Sequence, residues 1–355
     1  MRIGIPTEIK ILEGRVALIP AAAAELVKHD HEVFLQSGAG IASGYSDDDY
    51  AQLGIEILPD AQALYGQSQL VVKVKEPIEP EFDLLRKDHI IFSYLHLAAN
   101  PVLAKVLCDK GLTAVAFETI EQNHALPLLA PMSDIAGRLS VQIGTTLLYR
   151  PNGGRGVLLG GMPTAERGNV VVLGAGSAGG NAVHVAASLG ANVTVFARSR
   201  DSLARMHDLG PNVTALPSYQ NLIDDAVCNA DLLIGAVLIT GARTPILVSE
   251  DLVKQMKPGS VIIDIAVDQG GCVATTRPTT YESPTYIEHG VVHFGVTNMP
   301  GAVPRTASQA LSASLTPFIL RLAANDGMSD PAIKSGVNIT GGSIVHPAVR
   351  DALKR

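Results

Sequence analysis

Short apolar runs rich in Val and Ile recur along this chain, at residues 33–36, 70–74, 90–94, 113–117, 170–173, 193–196, 232–236, 261–266 and 291–296. Several are apolar at every position, the pattern of strands buried on both faces of a parallel sheet. Between them lie stretches with helical spacing, as at 21–28 and 181–189. Strand, helix, strand, repeated, predicts an α/β fold with helices on both sheet faces. Two longer helical segments interrupt the rhythm. One is expected from about Ser133 to Tyr149, with Ser133 as N-cap and Asp134 against the positive helix start. The other is expected from about Thr306 to Ala324.

At roughly 100–200 residues per domain, 355 residues suggest two domains. The simplest division makes 134–305 a Rossmann-type, doubly wound dinucleotide-binding lobe. Residues 1–133 and 306–355 then form a second α/β, flavodoxin-like substrate lobe, with an active-site cleft between the two. Hydrophobic residues are 47% and charged residues 17% of the chain, enough apolar material for large cores and too much for a disordered chain. A net charge of −7 without a dense Lys/Arg run argues against nucleic-acid binding. No apolar run reaches the ~18 residues that a membrane-spanning helix needs. Cys108, Cys228 and Cys272 form no CxxC pair, and the first residues enter a strand-like run with no signal-peptide pattern. The expectation is free thiols in a soluble, cytoplasmic protein.

The strand-like Asn169-Val170-Val171-Val172-Leu173 runs into Gly174-Ala175-Gly176-Ser177-Ala178-Gly179 and then a helical stretch. A GxGxxG in this context marks a dinucleotide site. Gly174 permits the tight turn, Gly176 admits a pyrophosphate, and Gly179 lets helix and strand pack closely. The helix start offers N–H groups to the phosphates. An NAD site usually places Asp or Glu at the end of the next strand. Here that point reads Ala197-Arg198-Ser199-Arg200. Either the arginines receive a ribose 2′-phosphate, so that NADP is tolerated or preferred, or they are solvated surface charges.

Ligands of open α/β sheets bind beyond the carboxyl ends of strands. Ionisable or amide side chains follow the apolar runs at Lys75, His96, Asp268 and Asn298, and Arg15 lies in the loop after the first strand. Two cations, an imidazole, a carboxylate and an amide make a coherent set for a small carboxylate substrate. Each has a bland alternative: a solvated Arg15, a Lys75–Glu76 pair, a buried His96, an Asp268 capping a turn at Gln269, an Asn298 bracing the turn before Pro300.

At these residues the chain resembles the bacterial alanine dehydrogenases, of the alanine dehydrogenase/pyridine nucleotide transhydrogenase family. The resemblance is carried by residues 1–10 (MRIGIPTEIK), 72–77 (VKVKEP), 95–99 (LHLAA), 126–138 (LPLLAPMSDIAGR), 261–272 (VIIDIAVDQGGC), 277–281 (RPTTY) and 298–304 (NMPGAVP). It implies reversible oxidative deamination of L-alanine to pyruvate and ammonia with a nicotinamide cofactor, and a homohexamer. By matching motif it makes His96 and Asp268 the catalytic pair, and Arg15, Lys75 and Asn298 the substrate-binding residues. The cofactor set becomes Ser133, Gly174, Gly176, Ser177, Ala178, Gly179, Ala197, Arg198, Ser202, Ser218, Val237, Leu238, Val267, Arg277 and Met299. Two departures stand out. The family's acidic residue after the second cofactor strand is Ala197 here. Arg321 and Asn325 occupy the positions where some members hold magnesium, so no metal is expected. Two related readings use the same fold: an NADPH-dependent carboxyalkyl amino-acid synthase and the NAD-binding subunit of a transhydrogenase.

Overall fold

The computed structural model describes residues 1–237 and 244–354. It divides into two units, Met1–Met132 with Gly301–Arg355, and Ser133–Pro300.

In the first unit, strands β1 (Arg2–Ile5), β2 (Glu32–Gln36), β3 (Glu56–Leu58), β4 (Leu70–Val72), β5 (Ile90–Ser93) and β6 (Thr113–Ala116) run parallel in the order β3-β2-β1-β4-β5-β6. The second unit supplies β7 (Asn169–Leu173), β8 (Asn192–Ala197), β9 (Val213–Pro217), β10 (Leu232–Gly235), β11 (Val261–Asp264), β12 (Thr285–Glu288) and β13 (Val291–Phe294). These order as β12-β13-β11-β10-β7-β8-β9, parallel except for the antiparallel edge strand β12. The chain then returns to the first sheet and adds β14 (Val337–Thr340) and β15 (Ser343–Ile344), antiparallel, beside β6.

Both sheets thus share the doubly wound order 3-2-1-4-5-6 in their parallel strands, with two strands to one side of the first strand where a five-stranded flavodoxin-like sheet has one. The order reverses direction between β1 and β4, and between β7 and β10. Crevices for ligands open at such reversals. The apolar runs are the sheet interiors: Ile3, Val71, Val72, Ile91 and Phe92 in one, and Val172, Leu233, Ile234 and Ile263 in the other, are almost fully buried. Burying such a side chain contributes about 1.5–3 kcal/mol.

The long helices run Ala130–Leu147 and Pro304–Ala323. Ser133 is therefore inside the first helix and does not cap it. Backbone N–H groups of Leu129 and Ala130 already bond to the Leu126 carbonyl, and Pro131 suits a first turn, where its missing N–H is not needed. Among the described residues no helix is long and apolar enough to cross a membrane.

Candidate active site

In the first unit the candidate residues Arg15, Lys75 and His96 lie on the loops after β1, β4 and β5. Arg15 is not a solvated loop residue: it is 2% exposed and meets Glu13 fork to fork, Nε to Oε1 at 2.6 Å and Nη2 to Oε2 at 2.5 Å. Its Nη1 lies 3.1 Å from the Met132 sulfur. Lys75 does not pair with Glu76, whose carboxylate is taken by Lys10 at 2.5 Å. The Lys75 ammonium is half-buried, and its pKa is pulled below the ordinary lysine value by burial and then by the Arg15 charge. That mutual field places the two cations in one neighbourhood. Two like charges brought together this way suit an anion.

Tyr94 connects the cations to the imidazole. It is buried, donates its hydroxyl proton to the Leu128 carbonyl at 2.5 Å, and lies within the Arg15 field. The His96 ring stacks parallel to the Tyr94 ring, centroids 6.1 Å apart and planes 12° apart. His96 is exposed between buried Leu95 and Leu97, so it is not a core histidine. Its backbone is left-handed, φ 48°. The structure therefore brings Arg15, Lys75 and His96 together at the carboxyl ends of β1, β4 and β5.

Buried carboxylates brace these loops. Glu8 accepts from the Val74 N–H at 2.5 Å and the Lys75 N–H at 3.3 Å, and Lys73 lies 3.3 Å from it and 2.9 Å from Glu81. Burial raises the Glu8 pKa despite the Lys73 ammonium.

In the second unit the Gly174–Gly179 segment forms the turn from β7 into a helix, Ser177–Ser188. Gly174 has φ 102°, and a Cβ there would lie 2.6 Å from the Ala236 carbonyl oxygen. A Cβ on Gly179 would lie 1.9 Å from the Gly174 oxygen. At Gly176, by contrast, a Cβ would meet nothing within 4 Å, and no side chain caps the helix. Open space over uncapped N–H groups of Ser177, Ala178 and Gly179 fits a dinucleotide's phosphates. Ser133 is carried to this turn by its neighbour Asp134, which accepts from Asn181 on the same helix at 2.9 Å.

The neighbouring strand ends surround the turn. The Gly174 N–H bonds to the Phe196 carbonyl, and the Ser218 N–H to Ala197. Ala197 is 8% exposed, while Arg198 is exposed with no ion pair among the described residues. Ser199 caps the next helix by accepting from Ser202, and Arg205 bonds the Ser202 hydroxyl at 3.1 Å. Val237 follows β10; Leu238 lies outside the described residues.

Asp268 sits in the single helical turn Ile265–Gln269 after β11 and does not cap it. Asp264 does, accepting from the N–H groups of Ala266, Cys272 and Val273 at 3.1, 2.8 and 3.2 Å. The turn presents Asp268 to solvent and buries Val267. Asn298 is left-handed, φ 60°, ahead of Met299, whose carbonyl accepts from Tyr281 at 2.9 Å. Arg277 lies 4.0 Å over the Tyr286 ring, an attractive cation–π placement.

The Alanine dehydrogenase/PNT N-terminal domain family matches residues 4–136, and its C-terminal domain counterpart matches 140–347. The chain belongs to the alanine dehydrogenase/PNT family. The alanine dehydrogenase of Bacillus subtilis is 46% identical over 355 residues, covering 98% of this chain and 94% of its own. A solved L-alanine dehydrogenase superposes with a TM-score of 0.96 at 50% identity, over 100% of this chain and 99% of its own. A transhydrogenase from Sinorhizobium meliloti shares the fold, with a TM-score of 0.85 at 24% identity, covering 98% and 100%.

In this alanine dehydrogenase/PNT chain, sequence reasoning missed Glu8, Glu13, Tyr94, Glu118 and Asp264. Glu118 directly follows the run 113–117, so the strand-end rule that found His96 also reaches it. Asp264 is a carboxylate inside an apolar run, a sign of a buried, fully bonded acid. Arg321 pairs with Asp330 at 2.6 Å.

Proposed function

We propose that this chain catalyses the reversible oxidative deamination of L-alanine to pyruvate and ammonia. The observation that carries the reading is the set Arg15, Lys75, Tyr94 and His96 at one sheet reversal, in a chain related over its full length to alanine dehydrogenases. The substrate carboxylate is bound by Arg15 and Lys75. Its amino and C2 end is attended by Asn298. A nicotinamide dinucleotide, held by Ser133, the 174–179 turn, Ser218, Val237, Val267, Arg277 and Met299, supplies the hydride acceptor when bound. Water must then add to the substrate iminium, and a base must take its proton. His96 is the base in this reading, an imidazole being the side chain that most often moves a proton in catalysis. Asp268 stabilises the cationic iminium and orients water or ammonia.

For the cofactor, the reading is NAD(H) with NADP(H) tolerated or preferred. A carboxylate at position 197 would repel a 2′-phosphate, whereas Ala197 leaves room and Arg198 offers an exposed guanidinium with no ion pair among the described residues. A homohexamer and a cytoplasmic location complete the proposal, the latter in keeping with three free thiols.

The test is absorbance at the reduced-nicotinamide band with alanine, serine and glycine, each with NAD and NADP, and identification of the keto-acid product. His96→Ala and Asp268→Ala should each lower turnover roughly 100-fold or more. Near-wild-type rates in both variants would remove the catalytic assignment. A hundredfold preference for NAD in kcat/KM would remove the NADP reading.

A further inference from the structure

We propose that Glu118 is a positioning residue for His96, acting through the backbone rather than the ring; the proposal rests on His96 being the acid–base group. Strands β5 and β6 pair in parallel with Ser93 level with Ala116. Two residues beyond each strand, Leu95 and Glu118 are therefore level as well. The Glu118 carboxylate accepts from the Leu95 N–H at 3.2 Å and the His96 N–H at 2.7 Å. One carboxylate thus takes two successive backbone donors at the point where the chain leaves the sheet.

The consequence falls on the next torsion. His96 is left-handed, φ 48° and ψ 36°, a conformation that a residue with a Cβ holds only when its surroundings impose it. Extended backbone would turn successive side chains to opposite faces. Here Tyr94, Leu95 and Leu97 are all buried, and His96 alone is turned outward, over the Tyr94 ring. Glu118 fixes the two N–H groups that define that reversal. Tyr94 and His346 also share an electrostatic interaction with the carboxylate. His346 precedes the helix Pro347–Leu353, which packs on the Leu97–Ala99 turn just after His96. The carboxylate therefore lies within the field of the residue that leads into that helix.

Glu118→Gln keeps the shape but offers one acceptor, with an amide N–H2 facing the second donor. The variant should lose 10- to 100-fold in kcat, with the alanine KM within threefold of wild type because Arg15 and Lys75 are untouched. Proton transfer should become more rate-limiting. The solvent deuterium effect on kcat should grow, and the effect of deuterium at alanine C2 should shrink. A general structural defect would instead raise alanine and cofactor KM together and leave both isotope effects unchanged. If Glu118→Gln does not fold, Glu118→Asp, shorter by one methylene, is read by the same criteria. Wild-type kcat, or a loss shared equally by every kinetic constant, overturns the proposal. His96→Ala run in parallel separates the two readings. If it is as active as wild type, the acid–base assignment fails. If it is inactive while Glu118→Gln is normal, only the positioning role fails.

Discussion

At the scale of single residues, charge placement decides the behaviour of the Arg15 and Lys75 cations, the pair proposed to bind the substrate carboxylate. Lys75 has its pKa depressed by burial and by Arg15, so its ammonium loses its proton at a lower pH than an ordinary lysine. The charged form binds a carboxylate. As pH rises through that lowered value, kcat/KM for alanine should fall, on an alkaline limb that begins below the usual lysine range. Lys75→Arg, which stays charged throughout, should abolish that limb even if it lowers the rate. A limb unchanged in Lys75→Arg would assign it to another group. Glu13 faces the opposite demand. Arg15 is buried against it, and breaking such a buried pair by removing one partner costs about 3–5 kcal/mol. Glu13→Ala should therefore lower the denaturant midpoint markedly; a midpoint near wild type would show that Arg15 finds another partner. The residue types at Arg15, Lys75 and His96 were legible in the sequence because each follows a strand. Their supporting carboxylates were not, since a Glu reads the same in sequence whether it is solvated or accepting two buried N–H groups.

At the scale of elements, what could be read depended on burial. Each apolar run named from the sequence is a strand, and those strands fill the interiors of the two sheets. The ones not foreseen include β3 and β15 at the edges of the first sheet and β9 and β12 at the edges of the second. An edge strand has solvent on one side and carries no continuous apolar run; Tyr286 and Ile287 in β12 are partly or largely exposed. Strand β14 was missed for another reason. Its Asn338 is buried, and its side-chain oxygen accepts from Thr119 at 2.9 Å, so a polar residue interrupts the pattern. The turn that carries Asp268 is the matching case in the second unit. Asp264 ties three backbone N–H groups, and burial raises its pKa even so. Asp264→Asn replaces one acceptor oxygen by a donor and leaves at least one N–H unpaired, at a cost of about 1–3 kcal/mol. We expect a lower Tm and, because Asp268 and Val267 ride on that turn, a weaker cofactor affinity. A lower Tm with unchanged cofactor affinity would make Asp264 a stabilising residue alone.

At the scale of the whole molecule, one topology is used twice. Each sheet reverses its strand order beside its first strand, and the candidate residues lie at the strand ends around each reversal: Arg15, Lys75 and His96 in one unit, the 174–179 turn, Ala197–Arg198 and Asp268 in the other. Each unit has its own buried core, so a ligand stabilises first the unit whose residues hold it. This yields a prediction that needs no turnover. A dinucleotide at a hundred times its Kd adds about 2.7 kcal/mol to the state that binds it. Hydrogen exchange should therefore slow in residues 133–300, above all at the amides of Ser177, Ala178 and Gly179 and in the segment 197–199. The strands β1 to β6 should change less. Running NADH and NADPH side by side also isolates the 2′-phosphate. Extra protection at Arg198 and Ser199 with NADPH, lost in Arg198→Ala, is the expected outcome. Equal protection by both cofactors at those amides, unaltered in Arg198→Ala, would show that the guanidinium is a surface charge and that the absence of a carboxylate at position 197 has no bearing on cofactor choice.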